Sequence, residues 1–223
     1  MGSSNGVTEI EVRLAQGIIA PAFLRRPEKS KSLVLFAHGS GSSRHSPRNA
    51  FVADALAEGG IGSLLLDLLT PEEEAIDRST AALRFDIGLL AERLIGATQF
   101  VRAQPALQAL RLGYFGASTG AAAALVAAAM LPEEIGAVVS RGGRPDLAAE
   151  HLPQVTAPTL LIVGGADIVV TELNRRASAQ MHATRELVIV PGATHLFEEP
   201  GALAEVARLA RTWFQRYLCD LPH

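Results

Sequence analysis

Apolar and polar residues alternate in VTEIEVRL (7–14), the pattern of a strand with one face toward solvent, and GIIAPAFLRRP (17–27) can return beside it as the second half of a hairpin. Pro21 removes a backbone donor from that second run, which predicts an edge or bulged strand there. From Ser32 onward the pattern changes. SLVLFAH (32–38), GSLLLDLL (62–69), RLGYFG (111–116), GAVVSR (136–141), PTLLIVGG (158–165) and ELVIVPG (186–192) are continuous apolar runs, as expected of strands buried on both faces. Helical patterns separate them at 47–59, 79–103, 119–131, 171–182 and 201–218, and Ser46-Pro47 supplies an N-cap and a first-turn proline for the first. This alternation predicts an α/β fold, a doubly wound, mostly parallel sheet with helices on both faces. In such sheets ligands bind beyond the carboxyl ends of the strands, so useful chemistry is to be sought there.

Composition narrows the function more than the fold. The 223 residues are most economically one domain over 1–223, with 1–6 expected to be disordered. Lys and Arg number 20 against 23 Asp and Glu, a formal charge of −3, so no basic excess points to nucleic acid. Cys219 is the only cysteine, which excludes an intramolecular disulfide and a cysteine-based metal site. MGSSNGVTEI lacks the charged-then-apolar order of a signal peptide, and no run reaches the roughly 18 apolar residues of a membrane span. The expectation is a cytoplasmic protein with no membrane partner, monomeric or paired through its 7–27 edge as a homodimer.

Chemistry-bearing residues fall at the predicted strand ends. GASTG (116–120) joins the run RLGYFG to the alanine-rich TGAAAALVAAAM. A sharp strand-to-helix turn of this kind projects a serine hydroxyl from the sheet, and small flanking residues let the two backbones approach. Ser118 is therefore a candidate nucleophile, although the same residues also suit a turn that merely packs a helix on a strand. A serine needs a base, and the base needs an orienting acid. His195, in the loop of VIVPGATHLFEEPG after the last strand, is the candidate base. Asp167, at the end of LLIVGGAD, is the preferred acid over Asp146 because it is nearer a strand end, with an Asx turn or helix cap as its structural alternative. After the first buried run, FAHGSGSSRHSPRN (36–49) exposes backbone N–H groups, and that of Ser40 can pair with that of Thr119 as an oxyanion hole. His38 is read as structural, tying this loop to the strand. Neither glycine-rich phosphate-loop pattern, G-x-G-x-x-G nor G-x-x-x-x-G-K-[ST], is present.

With HGSGSS (38–43), GASTG (116–120), GGAD (164–167) and GATHLF (192–197) in place, the chain resembles a small α/β-hydrolase of the dienelactone hydrolase-like family over about residues 7–218. The resemblance implies Ser118 as nucleophile, Asp167 as acid, His195 as base and the Ser40 and Thr119 amides as oxyanion donors. It departs at one position: dienelactone hydrolases proper carry cysteine at the elbow, where this chain has Ser118, which favours serine-esterase chemistry over the dienelactone substrate. The interval SRGGRPDLAAEHLPQVTA (140–157) is too short for the helical cap domain of larger relatives, so an open site is expected.

Short loops then make the walls of that site, carrying Arg44, His45 and Arg48 on one side and Arg141 and Arg144 on the other. Arg44 and Arg144 are the chosen candidates for clamping a substrate anion, against the alternative that these arginines are solvated or paired with Asp146 and the acidic loop LLTPEEEAIDR (68–78). The expected reaction is hydrolysis of an ester or lactone of a small acyl substrate through an acyl-enzyme, with no metal or organic cofactor required. Thioester or amide cleavage, peracid formation, and a catalytically silent binding protein are the alternatives.

Overall fold

The computed structural model describes residues 6–219, so all but Gly6 of the segment expected to be disordered lies outside the described residues. The strands are β1 (Val7–Arg13), β2 (Ile19–Arg25), β3 (Ser32–Ala37), β4 (Gly62–Leu66), β5 (Arg111–Ala117), β6 (Ile135–Arg141), β7 (Thr159–Gly164) and β8 (Arg185–Val190). They form one sheet in the order β1-β2-β4-β3-β5-β6-β7-β8. The β1–β2 and β2–β4 pairings are antiparallel and the rest parallel. The helices are α1 (Pro47–Glu58), α2 (Pro71–Thr80), α3 (Ile87–Ala103), α4 (Thr119–Met130), α5 (Ile168–Gln180) and α6 (Ala202–Phe214). None among the described residues is long and apolar enough to cross a membrane.

Each central strand sends alternate side chains into two separate apolar layers. Leu33, Leu35 and Ala37 join Leu90 and Leu94 of α3 and the alanines of α4, while Val34 and Phe36 join Val52 and Leu56 of α1 and Val206, Ala210 and Phe214 of α6. Both faces are thus buried, which is why these strands read as unbroken apolar runs rather than alternating ones. The run expected to behave likewise at 186–192 does not: β8 is the sheet edge, and Ile189 is 37% exposed. In α4, Thr119 through Ala128 are all buried, and the small alanine side chains let this helix lie between the sheet, α3 and the 3₁₀ stretch Pro145–Gln154.

Three local expectations change. Pro21 sits in a strand with neighbours on both sides, not in an edge strand. Its carbonyl accepts the Asp67 N–H, so its ring nitrogen faces the same way, just past the end of the β2–β4 ladder at Ala22, where a missing donor breaks no pairing. The acidic segment expected as a loop forms α2, started by a capping box in which Thr70 and Glu73 satisfy each other's backbone N–H groups. The helix expected over 79–103 accordingly begins only at Ile87, with the Asp86 carboxylate accepting the Leu89 N–H.

The chain leaves β3 toward β4 on one side, then crosses to β5 on the other. The strand order therefore reverses at the β3/β5 boundary, the place where α/β sheets open a crevice. Ala37 pairs in register with Gly116, so the loop after β3 and the turn after β5 leave the sheet side by side.

Candidate active site

Ser118 lies between β5 and α4 with φ 51° and ψ −119°, a backbone region that strongly disfavours a side chain. The surroundings impose it. The Ser118 N–H donates to the Arg141 carbonyl at 3.2 Å, and the Ser118 carbonyl accepts the Ala121 and Arg144 N–H groups, each at 3.1 Å. The neighbouring glycines are sterically required: a Cβ on Gly116 would lie 2.3 Å from the Ala121 Cα, and one on Gly120 would lie 2.2 Å from the Ala37 carbonyl oxygen. The turn is thus a tightly packed elbow whose strained residue is the serine.

His195 stands in the loop after β8, held by Phe197, whose ring is fully buried despite a φ of 56°. The His195 Nδ1–H donates to the Asp167 carboxylate at 2.8 Å, so the carboxylate fixes the proton on Nδ1 and leaves Nε2 as a free acceptor. The other Asp167 oxygen accepts the Val170 N–H at the start of α5. One Asp167 oxygen therefore caps α5 while the other meets the His195 ring. Asp146, the rival acid, instead takes a bidentate pair from Arg144, at 2.9 and 2.7 Å.

Ser118 and His195 line one cavity of about 160 Å³ together with Ser40, Arg48 and Arg141. Among the described residues no hydrogen bond joins Ser118 to His195. Thr119 occupies the first position of α4, where its N–H has no helical acceptor, and its hydroxyl meets the Ser40 hydroxyl at 3.0 Å. The Ser40 loop is thereby held against the elbow. Across this loop lies a second cavity, of about 240 Å³, lined by His38, Ser40, Leu69, Arg78, Leu90 and Thr119 among others. The His38 Nδ1–H donates to the Gly39 carbonyl at 3.0 Å and Nε2 accepts the Leu68 N–H at 3.1 Å, so this ring ties the loop to the segment after β4 rather than to β3. Burial holds its pKa below the ordinary imidazole value, as two bonds to a neutral ring require.

Both arginines chosen for substrate contact need correction, because carboxylates already neutralise them. Arg44 pairs with Asp67 and Glu9 and stacks over the Phe23 ring, bordering a cavity on the β2 side of the sheet. Arg144 is occupied by Asp146. The arginines that reach the Ser118 cavity are Arg48, at the start of α1, and Arg141, the last residue of β6. Both were named among the wall arginines but not chosen, whereas Asn174 went unnamed: it is fully buried on α5, donates to the Gly143 carbonyl at 2.9 Å and fixes the loop after Arg141. The signal for Arg141 was present in its place at the carboxyl end of a buried strand beside the elbow strand.

Residues 21–218 match the Dienelactone hydrolase family. A protein of Mycobacterium tuberculosis, known from two strains and carrying the name "Putative phosphoribosyl transferase", is 58% identical over 210 residues. The match covers 94% of this chain and 46% of that protein, so the chain spans about half the length of the relative. The crystal structure of a dienelactone hydrolase from Anabaena variabilis superposes with a TM-score of 0.94 at 56% identity, covering 96% of this chain and 98% of that one. An α/β serine hydrolase without lid from Xanthomonas campestris shares the fold, with a TM-score of 0.75 at 23% identity over 97% of each chain.

Proposed function

The chain belongs to the dienelactone hydrolase family, and from that premise we propose that it is a hydrolase of the carboxylic-ester type, a serine esterase or lactonase working through Ser118, His195 and Asp167. The observation that carries the reading is the 2.8 Å bond to Asp167 from His195, a residue that lines the same cavity as the strained Ser118. His195 Nε2 takes the hydroxyl proton as Ser118 Oγ attacks the ester carbonyl, and Asp167 stabilises the imidazolium that forms. The Ser40 and Thr119 N–H groups receive the developing oxyanion at the positive end of α4. Collapse expels the alcohol, protonated by His195, and a water activated by the same nitrogen then releases the acid.

The two cavities on either side of the Ser40 loop give the acyl and alcohol portions separate places. The phosphoribosyl-transferase name of the mycobacterial relative is given to a protein about twice as long, and we assign no phosphoribosyl transfer to this chain. The test is labelling with a fluorophosphonate probe alongside hydrolysis of p-nitrophenyl acetate. Both should be abolished in Ser118→Ala, and a Ser118→Ala protein that still labels, or still hydrolyses at the wild-type rate, would overturn the assignment.

A further inference from the structure

We propose that Arg141 and Arg48 form a phosphate-binding subsite beside Ser118, so that the substrate is an acyl ester carrying a phosphate monoester group; the substrate class rests on the serine-esterase reading, the subsite itself does not. Arg141 is 7% exposed, yet no carboxylate meets its guanidinium among the described residues. No hydrogen bond to any of its side-chain nitrogens is found there either, and its Nε is buried without a partner. A buried cation left uncompensated is costly and is retained where an anion completes it. Desolvation, and secondarily the nearby Arg48 charge, bring the Arg141 pKa down to about 10, which still leaves it cationic at neutral pH.

The surroundings point to a doubly charged tetrahedral group rather than a single carboxylate. Arg48 adds a second positive charge from the first turn of α1, where its Nε is also unpartnered and its Nη1 reaches only the exposed Glu198, at 3.3 Å. Ser46, the N-cap of the same helix, lines the cavity, so the positive end of α1 borders it, and Ser42 adds a hydroxyl. Two guanidinium groups, a helix N-terminus and serine hydroxyls match the charge and several oxygens of a phosphate monoester. The place is fixed relative to the chemistry, because the Arg141 carbonyl accepts the Ser118 N–H at 3.2 Å and a Cβ added at Gly142 would lie 3.5 Å from the His195 ring.

Calorimetric titration of inorganic phosphate into the Ser118→Ala protein tests the subsite without requiring turnover, with succinate at equal ionic strength as the carboxylate control. Phosphate should bind more tightly than succinate, and Arg141→Met should weaken it about 10–100-fold, the effect of losing a charge-assisted bidentate contact. Arg48→Met, at a less buried position, is the second variant should Arg141→Met fail to fold, and it should weaken phosphate in the same direction. In the wild-type protein, phosphate should inhibit p-nitrophenyl acetate hydrolysis competitively. Absence of phosphate binding, equal or tighter binding of succinate, or binding that neither arginine variant weakens would overturn the subsite. Phosphate binding that depends on the arginines in a protein that hydrolyses no ester would support the subsite and remove the esterase reading instead.

Discussion

Gly120→Ala separates a turn that merely packs from an elbow that positions a nucleophile. An added Cβ would lie 2.2 Å from the carbonyl oxygen of Ala37 and 2.4 Å from that of His38. Both obstacles are backbone, so no rotamer change relieves them. An ordinary carbon–oxygen contact is about 3.3 Å, which means that α4 has to withdraw from the end of β3 by about 1 Å. Overpacking of this kind costs about 1–3 kcal/mol, readable as a lowered midpoint in urea denaturation. The same withdrawal separates the Thr119 N–H, which moves with α4, from the Ser40 N–H, which stays with the β3 loop. A misplacement of about 1 Å costs about 10²-fold in turnover, so kcat on p-nitrophenyl acetate should fall about that far with KM less affected. Gly88→Ala is the control: its Cβ would meet only the Asp86 Oδ1, at 3.5 Å, an ordinary contact in α3. A Gly120→Ala protein with wild-type midpoint and turnover would refute this account of the elbow.

Asp167→Asn keeps a side chain able to cap α5 but loses the carboxylate that fixes the His195 tautomer. It should lower kcat by about 10⁴-fold with stability nearly unchanged, whereas Asp167→Ala should also lose about 1 kcal/mol in denaturant titration. His38 is buried with a folded-state pKa below its unfolded value of 6.5, so unfolding takes up a proton as the pH falls. Its contribution is complete above about pH 6.5 and is lost as the pH drops toward the folded value. Thermal melts from pH 7.5 to 5 should therefore fall more steeply for wild type than for His38→Asn, and parallel curves would count against the neutral ring. The Tyr114 hydroxyl donates to the Thr98 hydroxyl at 2.6 Å, and Thr98 donates onward to the Leu94 carbonyl. Tyr114→Phe should cost about 1 kcal/mol, while Thr98→Val, which strands a buried phenol, should cost more, about 1–3 kcal/mol by urea denaturation.

What was legible in the chain followed how completely each segment is buried. Strands β3, β5, β6 and β7 stood out because both faces meet helices, and the elbow, the Asp167 segment and the His195 loop were found by asking what lies at their carboxyl ends. Where one face meets solvent the reading weakened: β8 has the same apolar letters at the sheet edge, and α2 was hidden by its acidic residues although Thr70 and Glu73 already spelled a capping box. The arginines show a different limit. Proximity along a loop does not reveal which guanidinium has a carboxylate, because Asp67 and Glu9, the partners of Arg44, come from β4's end and β1. Only the three-dimensional pairing leaves Arg141 without a carboxylate among the described residues.

The site draws on the same devices that start helices. Ser46 caps α1 and borders the proposed phosphate subsite, Ser118 precedes α4 and is the proposed nucleophile, and Asp167 caps α5 while holding His195. Helices α1 and α4 thus begin at the crevice where the strand order reverses, each bringing a positive end, and α5 begins beside the carboxylate that holds His195. Arg141, and Arg48 with only the exposed Glu198 as its partner, add positive charge to that field, and Asp167 is turned toward His195 rather than toward the arginines. A cavity of this polarity favours negative charge where it is brought in, on a substrate phosphate, and where it develops, on the carbonyl oxygen of the tetrahedral intermediate. The costs lie beside it: a serine with φ 51°, a phenylalanine with φ 56° and a desolvated arginine fall within these few loops, while the layers behind them are filled by ordinary apolar packing. Left-handed residues also occur at Gln16, Lys29 and Ala81, away from the site, so strain alone does not mark this crevice; the desolvated Arg141 beside the strained Ser118 does, and it is what suits the crevice to an anion.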